Sequence, residues 1–283
     1  MPTPWTTPEL TSVGRLAMHS VPHGDRLDLD GTWRFQLLDR ADAEPGDAWR
    51  DIAVPGAWTM QGTADLPWYT NIRMPWSGVA PYVPEANPTG VYERSFDLPA
   101  AWTGRRVVLH VGAAESVLFA TVNGHDVGVS KDSHLAAEFD VTDVVRPGSN
   151  AIRLRVVKWS DATYIEDQDQ WWHGGVTRSV FLYATGTVHL ADIRAIAGLE
   201  QDGTTGTLDT FATVGFPGAP EPGWTVELRL DGRAGALTAP VPAANRPVPP
   251  HMSRLRHGLG SKAIANAPLT PAEAAEWATV RPA

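Results

Sequence analysis

The chain has 283 residues, 23 Lys+Arg against 32 Asp+Glu for a net charge of −9, and no cysteine; that is enough polypeptide for one large domain or two ordinary ones. The acidic balance argues against a nucleic-acid or anionic-membrane partner, since both need a basic surface. The missing cysteines exclude disulfides, thiolate metal sites and cysteine nucleophiles. No apolar run approaches the roughly 18 residues of a membrane span. Residues 1–20 lack the basic-then-apolar order of a secretory signal, so a cytoplasmic protein is expected.

Residues 1–24, rich in Pro and polar side chains, read as an extended N-terminal arm. From Leu27 the strand period takes over: Leu27 and Leu29 alternate, and Trp33, Phe35 and Leu37 recur at every second position. Residues 40–105 are divided by eight prolines and read mostly as loop, a length that is usually functional in a compact domain. Strands follow at 106–111, 116–122, 151–159 and 179–183. Asn123-Gly124 reads as a tight hairpin turn and Pro147-Gly148-Ser149-Asn150 as another turn. No long amphipathic helix precedes residue 260, so the reading is an antiparallel sandwich over 25–186 and not a βαβ fold. Near 186 the pattern resets. Val188, Leu190 and Ile193 open a new run, and 225–230 ends at Asp231-Gly232, a hairpin signal. This reads as the start of a second β domain over 187–240, with too few strands for a complete immunoglobulin-type sandwich. Residues 241–283 read as an irregular tail with a short helix at 271–278, introduced by Thr270-Pro271-Ala272-Glu273.

The motifs are first informative by what is missing. There is no G-x-G-x-x-G, Walker loop, H-E-x-x-H or G-x-S-x-G. The densest polar segment runs from Tyr164 through Glu166, Asp167, Gln168, Asp169 and Gln170 to Trp171, Trp172, His173, Gly174 and Gly175. It reads either as a solvated acidic turn or as a polar site walled by aromatics, suited to a hydroxyl-rich ligand or a hard cation. Glu166 and Asp169 make a poor acid/base and nucleophile pair, because two residues of one short loop seldom flank a scissile bond from both sides. Asn87-Pro88-Thr89-Gly90 reads as a turn into the strand that follows. The 12 tryptophans suit either a sandwich core or the apolar faces of sugars.

Seven stretches taken together resemble the N-terminal region of glycoside hydrolase family 2, especially its large bacterial β-galactosidases: PELTSVGRL at 8–16, LDLDGTWRF at 27–35, VPGAWTMQG at 54–62, YTNIRMPW at 69–76, PYVPEANPTGVYERSFDLP at 81–99, VNGHDVGVSKDSHLAAEFDVT at 122–142 and VVKWSDATYIEDQDQWWHGGVTRSVFLY at 156–183. The resemblance implies an all-β protein. Its first part would be a jelly-roll sugar-binding domain, followed by an immunoglobulin-like domain that is incomplete here, and then a catalytic (β/α)₈ barrel. It implies that Asn87 hydrogen-bonds substrate and that Asp169 contacts the galactosyl group and ligates sodium. Trp171, Gly175 and Arg178 match positions read as structural. A barrel needs about 250 residues, whereas 98 follow position 185 and do not alternate strand with helix. The two catalytic glutamates and most magnesium and sodium ligands of the complete family enzyme therefore have no counterpart here. The expectation is an N-terminal fragment with no catalytic residue and no cofactor of its own. Its partners would be a β-galactoside or other carbohydrate, the barrel portion of the parent enzyme, and, through the arm, further copies of itself. A free-standing carbohydrate-binding module and a complementing subunit of a split enzyme are the alternatives. Trp58, Trp68, Trp76 and Trp171 are expected to be exposed where the barrel would cover them.

Overall fold

The computed structural model describes residues 3–166, 168–229, 237–241, 261–269 and 279–282. Among these the regular structure is β, with single-turn 3₁₀ segments at Pro4–Thr6, Trp58–Met60, Ala100–Trp102 and Asp161–Tyr164. In chain order the strands are β1 (Ser12–Val13), β2 (Arg26–Asp28), β3 (Gly31–Leu38), β4 (Arg50–Val54), β5 (Gly56–Ala57), β6 (Trp68–Tyr69), β7 (Thr89–Leu98) and β8 (Arg106–Val111). They continue with β9 (Ala114–Glu115), β10 (Val117–Val122), β11 (His125–Lys131), β12 (Ala137–Asp140), β13 (Gly148–Val157), β14 (Trp171–Trp172), β15 (Gly175–Val176) and β16 (Val180–Thr185). A second group comprises β17 (His189–Leu199), β18 (Gly206–Gly215), β19 (Trp224–Leu228), β20 (Leu237–Pro240), β21 (Ser261–Leu269) and β22 (Thr279–Pro282). No helix among the described residues is long and apolar enough to cross a membrane.

The chain divides into two compact units, one of residues 1–18 and 24–184 and one of residues 19–23 and 185–283. In the first, a seven-stranded sheet ordered β1-β11-β10-β13-β7-β3-β4 and a four-stranded sheet ordered β12-β8-β16-β2 enclose one apolar core. Strict alternation builds it. Ile152, Leu154 and Val156 of β13 point inward beside Trp33 and Phe35 of β3, against Leu109, Phe139, Val180 and Leu182 of the other sheet, while Arg153 points out. Burial of this kind contributes about 1.5–3 kcal/mol per large side chain relative to exposure. At the Asn123-Gly124 turn both residues have positive φ, 51° and 81°, as the primed turn between β10 and β11 requires.

Residues 40–105 are mostly without regular structure, as expected, but not throughout: β4 sends Ile52 and Val54 into the core, and β7 is a ten-residue strand through the middle of the large sheet. Prolines beside both strands had hidden the first and shortened the second. The N-terminal arm is docked on the sandwich. Its β1 pairs with β11, Trp5 meets Phe119 edge-on at 6.2 Å, and the buried Lys131 ammonium donates to Thr7 O at 2.8 Å.

The second unit carries two three-stranded sheets, β17-β18-β21 and β20-β19-β22. Its small core holds Ala212, Val214, Val226 and Val241, and Ser20 ties residues 19–23 to it through Asp192 and Ile193 O. The expected hairpin at Asp231-Gly232 and helix at 271–278 lie outside the described residues.

Candidate functional site

Two motif loops meet in a miniature ribbon, in which β6 pairs antiparallel with β14, Trp68 facing Trp172 and Tyr69 facing Trp171. The Tyr69 hydroxyl donates to Asp169 Oδ1, and Asn71 Nδ2 lies 3.4 Å from the same hydroxyl. The Tyr69 and Trp171 rings are 5.5 Å apart. Trp171 is 56% exposed and Trp68 37%. The result is an open ledge: a carboxylate, a phenol and a carboxamide beside indole faces. Such a set can bind vicinal hydroxyls and cover the apolar face of a ring.

The loop behind Asp169 is held at three points by one short segment that begins with the last residue of β11. Lys131 Nζ donates to both oxygens of Asp161, at 2.8 and 2.9 Å. Ser133 Oγ donates to Glu166 Oε2 at 2.5 Å, and Gln170 Nε2 pairs with His134 Nε2 at 2.8 Å. The acidic run is therefore not a uniformly solvated turn. Glu166 turns inward, where burial pushes its carboxyl above the usual range against the opposing hydrogen bonds from Ser133. Asp169 turns outward to Tyr69.

Asn87 is placed differently from Asp169. It is 1% exposed; its Nδ2 donates to Trp159 O at 2.8 Å and its Oδ1 accepts from Trp159 N at 2.9 Å. Each end of the carboxamide thus bonds backbone; the remaining N–H and lone pair are buried with the side chain. Of the four tryptophans expected to be exposed, Trp58 is fully buried and Trp76 half-buried, its Nε1 donating to Tyr164 Oη at 2.8 Å. Trp58 is enclosed because two motif glycines make room for it. A Cβ on Gly90 would lie 2.8 Å from its ring and one on Gly174 2.4 Å.

Beneath the ledge lies a charged cluster that spacing alone does not reveal. Lys158 Nζ donates to Asp65 Oδ2 at 2.7 Å and Leu66 O at 2.9 Å, and Trp58 Nε1 donates to the same Asp65 oxygen at 2.7 Å. Glu115 Oε2 accepts from His173 N and Gly174 N at 3.0 and 2.7 Å. Burial depresses the Lys158 ammonium, opposed by the nearby Asp65 and Glu115. Tyr69, Asn71, Lys158, Asp65 and Glu115 were not singled out from sequence. Tyr69 and Asn71 stood in the YTNIRMPW stretch; nothing in the spacing linked Asp65 or Glu115 to the site. Among the described residues no group of three or more His, Asp or Glu is placed to hold a metal. Asp169 is one possible ligand, and a hard cation needs about six oxygens, so these residues do not make a cation site by themselves.

The fold and the ledge define a two-sheet β-sandwich domain that carries an aromatic-and-carboxylate surface on its loops. The family model for "Glycosyl hydrolases family 2, sugar binding domain" matches residues 27–186, and the chain belongs to glycoside hydrolase family 2. It is 40% identical over 181 residues to a β-galactosidase of Psychromonas ingrahamii, covering 61% of this chain and 17% of that protein. It is 37% identical over 217 residues to one of Arthrobacter sp., covering 68% and 21%. The chain thus spans about a fifth of the length of these relatives. Its fold is similar to a Bifidobacterium dentium β-glucuronidase, solved with coumarin-3-O-glucuronide, with a TM-score of 0.60 and 20% identity over 88% of this chain and 43% of that one. A Dictyoglomus thermophilum β-D-mannosidase gives 0.57 and 17% over 87% and 31%; at such identities the likeness concerns the fold alone.

Proposed function

We propose that this chain is the sugar-contacting N-terminal part of a cytoplasmic β-galactosidase-type enzyme, supplying the Tyr69–Asp169–Trp171 ledge to an active site whose acid/base and nucleophile come from a separate catalytic portion. The observation that carries this is the exposed carboxylate of Asp169 held by Tyr69 beside the half-exposed Trp171. Support for the β-galactoside as substrate comes from the identity of 37–40% to β-galactosidases. Asp169 is the proposed galactosyl contact and a proposed sodium ligand. Its remaining coordination, and any magnesium, would be supplied by the catalytic portion. Asn87 serves the same site by fixing Trp159, and reaches the sugar only if its buried carboxamide is uncovered on assembly. Glu166 is bound to Ser133 and Asp169 to Tyr69, so these two do not serve as the pair of carboxyl groups about 5–5.5 Å apart that retaining hydrolysis needs, and on this reading the catalytic pair comes from the separate portion. Mixing the chain with the catalytic portion of a β-galactosidase relative should restore hydrolysis of a chromogenic galactoside. A mixture no more active than either component contradicts the proposal.

A second reading, a free-standing carbohydrate-binding module, draws on the exposure of Trp68 and Trp171. It requires calorimetric binding of galactose or lactose to the chain alone, lost in Asp169→Ala. Absence of heat at millimolar sugar leaves the first reading in place and removes the second.

A further inference from the structure

In this chain 20 of the 23 basic residues are arginine, yet two of the three lysines, Lys131 and Lys158, are buried in ion pairs. Lys158 is 1% exposed and sits where three loops meet. Its ammonium holds the 58–69 loop through Asp65 and Leu66 O. Its backbone N–H donates to Pro88 O at 3.0 Å, which fixes the loop containing Asn87. Its own carbonyl accepts from Ser116 Oγ at 2.9 Å. The next residue, Trp159, is the one paired with Asn87, and the chain then runs on into the loop containing Asp169.

A buried ion pair is weak evidence for stability, because desolvation cancels most of the attraction and an apolar pair of similar volume often does as well. What an ammonium between a carboxylate and a carbonyl does supply is a fixed distance. Its donors must stay within about 3 Å of both acceptors, whereas packed methyl groups tolerate a slide. The compact lysine head suits this position: a guanidinium is a wider planar fork, and Lys158 already has the Trp159 ring 4.9 Å from its ammonium. Asp65 is three residues before Trp68, so a slide of the loop past Lys158 is transmitted directly to the two-residue pairing of β6 with β14, which is too short to fix its own register.

We propose that Lys158, through Asp65, is the positioning residue of the ledge: it sets the register of Trp68–Tyr69 against Trp171–Trp172 and so places the Tyr69 hydroxyl on Asp169. Only the use of the ledge for sugar rests on the function proposed above; the positioning claim concerns contacts within this chain. The test is fluorine NMR of the full chain labelled with 5-fluorotryptophan, the Trp68 and Trp171 signals being assigned with Trp68→Phe and Trp171→Phe, together with thermal unfolding of each variant. Lys158→Met should lower Tm and move both signals by more than a linewidth. The double variant Lys158→Met/Asp65→Leu, which replaces the pair by apolar groups, should recover Tm towards the parent while leaving both signals displaced and the remote Trp102 signal unmoved. If Lys158→Met does not fold, the double variant carries the test alone. Parent-like Trp68 and Trp171 signals in the folded double variant would overturn the proposal, whatever the outcome of any sugar-binding or complementation assay.

Discussion

Asp65 sits between two donors, and that makes the two halves of its ion pair unequal. Removing Lys158 leaves the Asp65 carboxylate with the Trp58 indole, whereas removing Asp65 leaves a buried ammonium with the Leu66 carbonyl as its hydrogen-bond acceptor and orphans the indole as well. Breaking a buried pair costs about 3–5 kcal/mol. Asp65→Ala should therefore fall at the upper end of that range and Lys158→Met below it, as measured by urea unfolding. Asn87→Ala should cost about 2–3 kcal/mol, since it strands both the Trp159 N–H and C=O in the interior. Glu166 gives a pH dependence of opposite habit to most carboxylates. Its folded pKa is raised, so its contribution to stability is complete below the ordinary value of 4.5 and is lost as pH rises through the folded value. Glu166→Gln keeps an acceptor for Ser133 and removes the buried charge. Its Tm should exceed the parent's at pH 7, with the difference closing as pH falls below 4.5. Asp169 stood out already in the acidic segment, whereas Asn87 was legible as a residue to watch only because several stretches resembled a family together. That Asn87 faces Trp159 was not legible, because a carboxamide in an Asn-Pro turn looks the same whether it bonds backbone or ligand.

Among the elements, legibility followed length only in part, since ten-residue β18 was not read as a strand. The strands β8, β10, β13 and β16 alternate over six to ten residues, so their periodicity was readable; β5, β6, β9, β14 and β15 have two residues each, too few for any period to register. Yet β6 and β14 build the ledge. Two glycines separate conformation from space. Gly124 and Gly174 have nearly the same φ, 81° and 80°, but a Cβ on Gly124 meets nothing within 4 Å while one on Gly174 lies 2.4 Å from the Trp58 ring. Gly124→Ala should cost only the left-handed penalty of about 1–2 kcal/mol. Gly174→Ala should cost clearly more, because Trp58 is walled in by the core and cannot yield. Equal unfolding midpoints for the two would show that Trp58 has room to move.

For the molecule as a whole, the first unit has a large two-sheet core, but its loops present Met60, Leu66, Ile72, Val79, Tyr82, Ile165 and Trp171 to solvent. Apolar exposure on that scale marks a surface that meets a partner or drives self-association. The purified chain should show a concentration-dependent rise in mass by light scattering, reduced in Ile72→Ser/Ile165→Ser. The all-β class was readable from turns and alternation, and the length anticipated that the chain spans only a fraction of its relatives. The account's central claim, that this chain lends a sugar-contacting carboxylate to a site completed elsewhere, is tested most directly by one measurement: kcat/KM for a chromogenic galactoside in the mixture with a relative's catalytic portion, comparing the parent chain with Asp169→Ala. A charge-assisted hydrogen bond is worth about 1.5–3 kcal/mol, so the account predicts a fall of about 10- to 100-fold at unchanged complex formation. Equal kcat/KM for the two chains would contradict it.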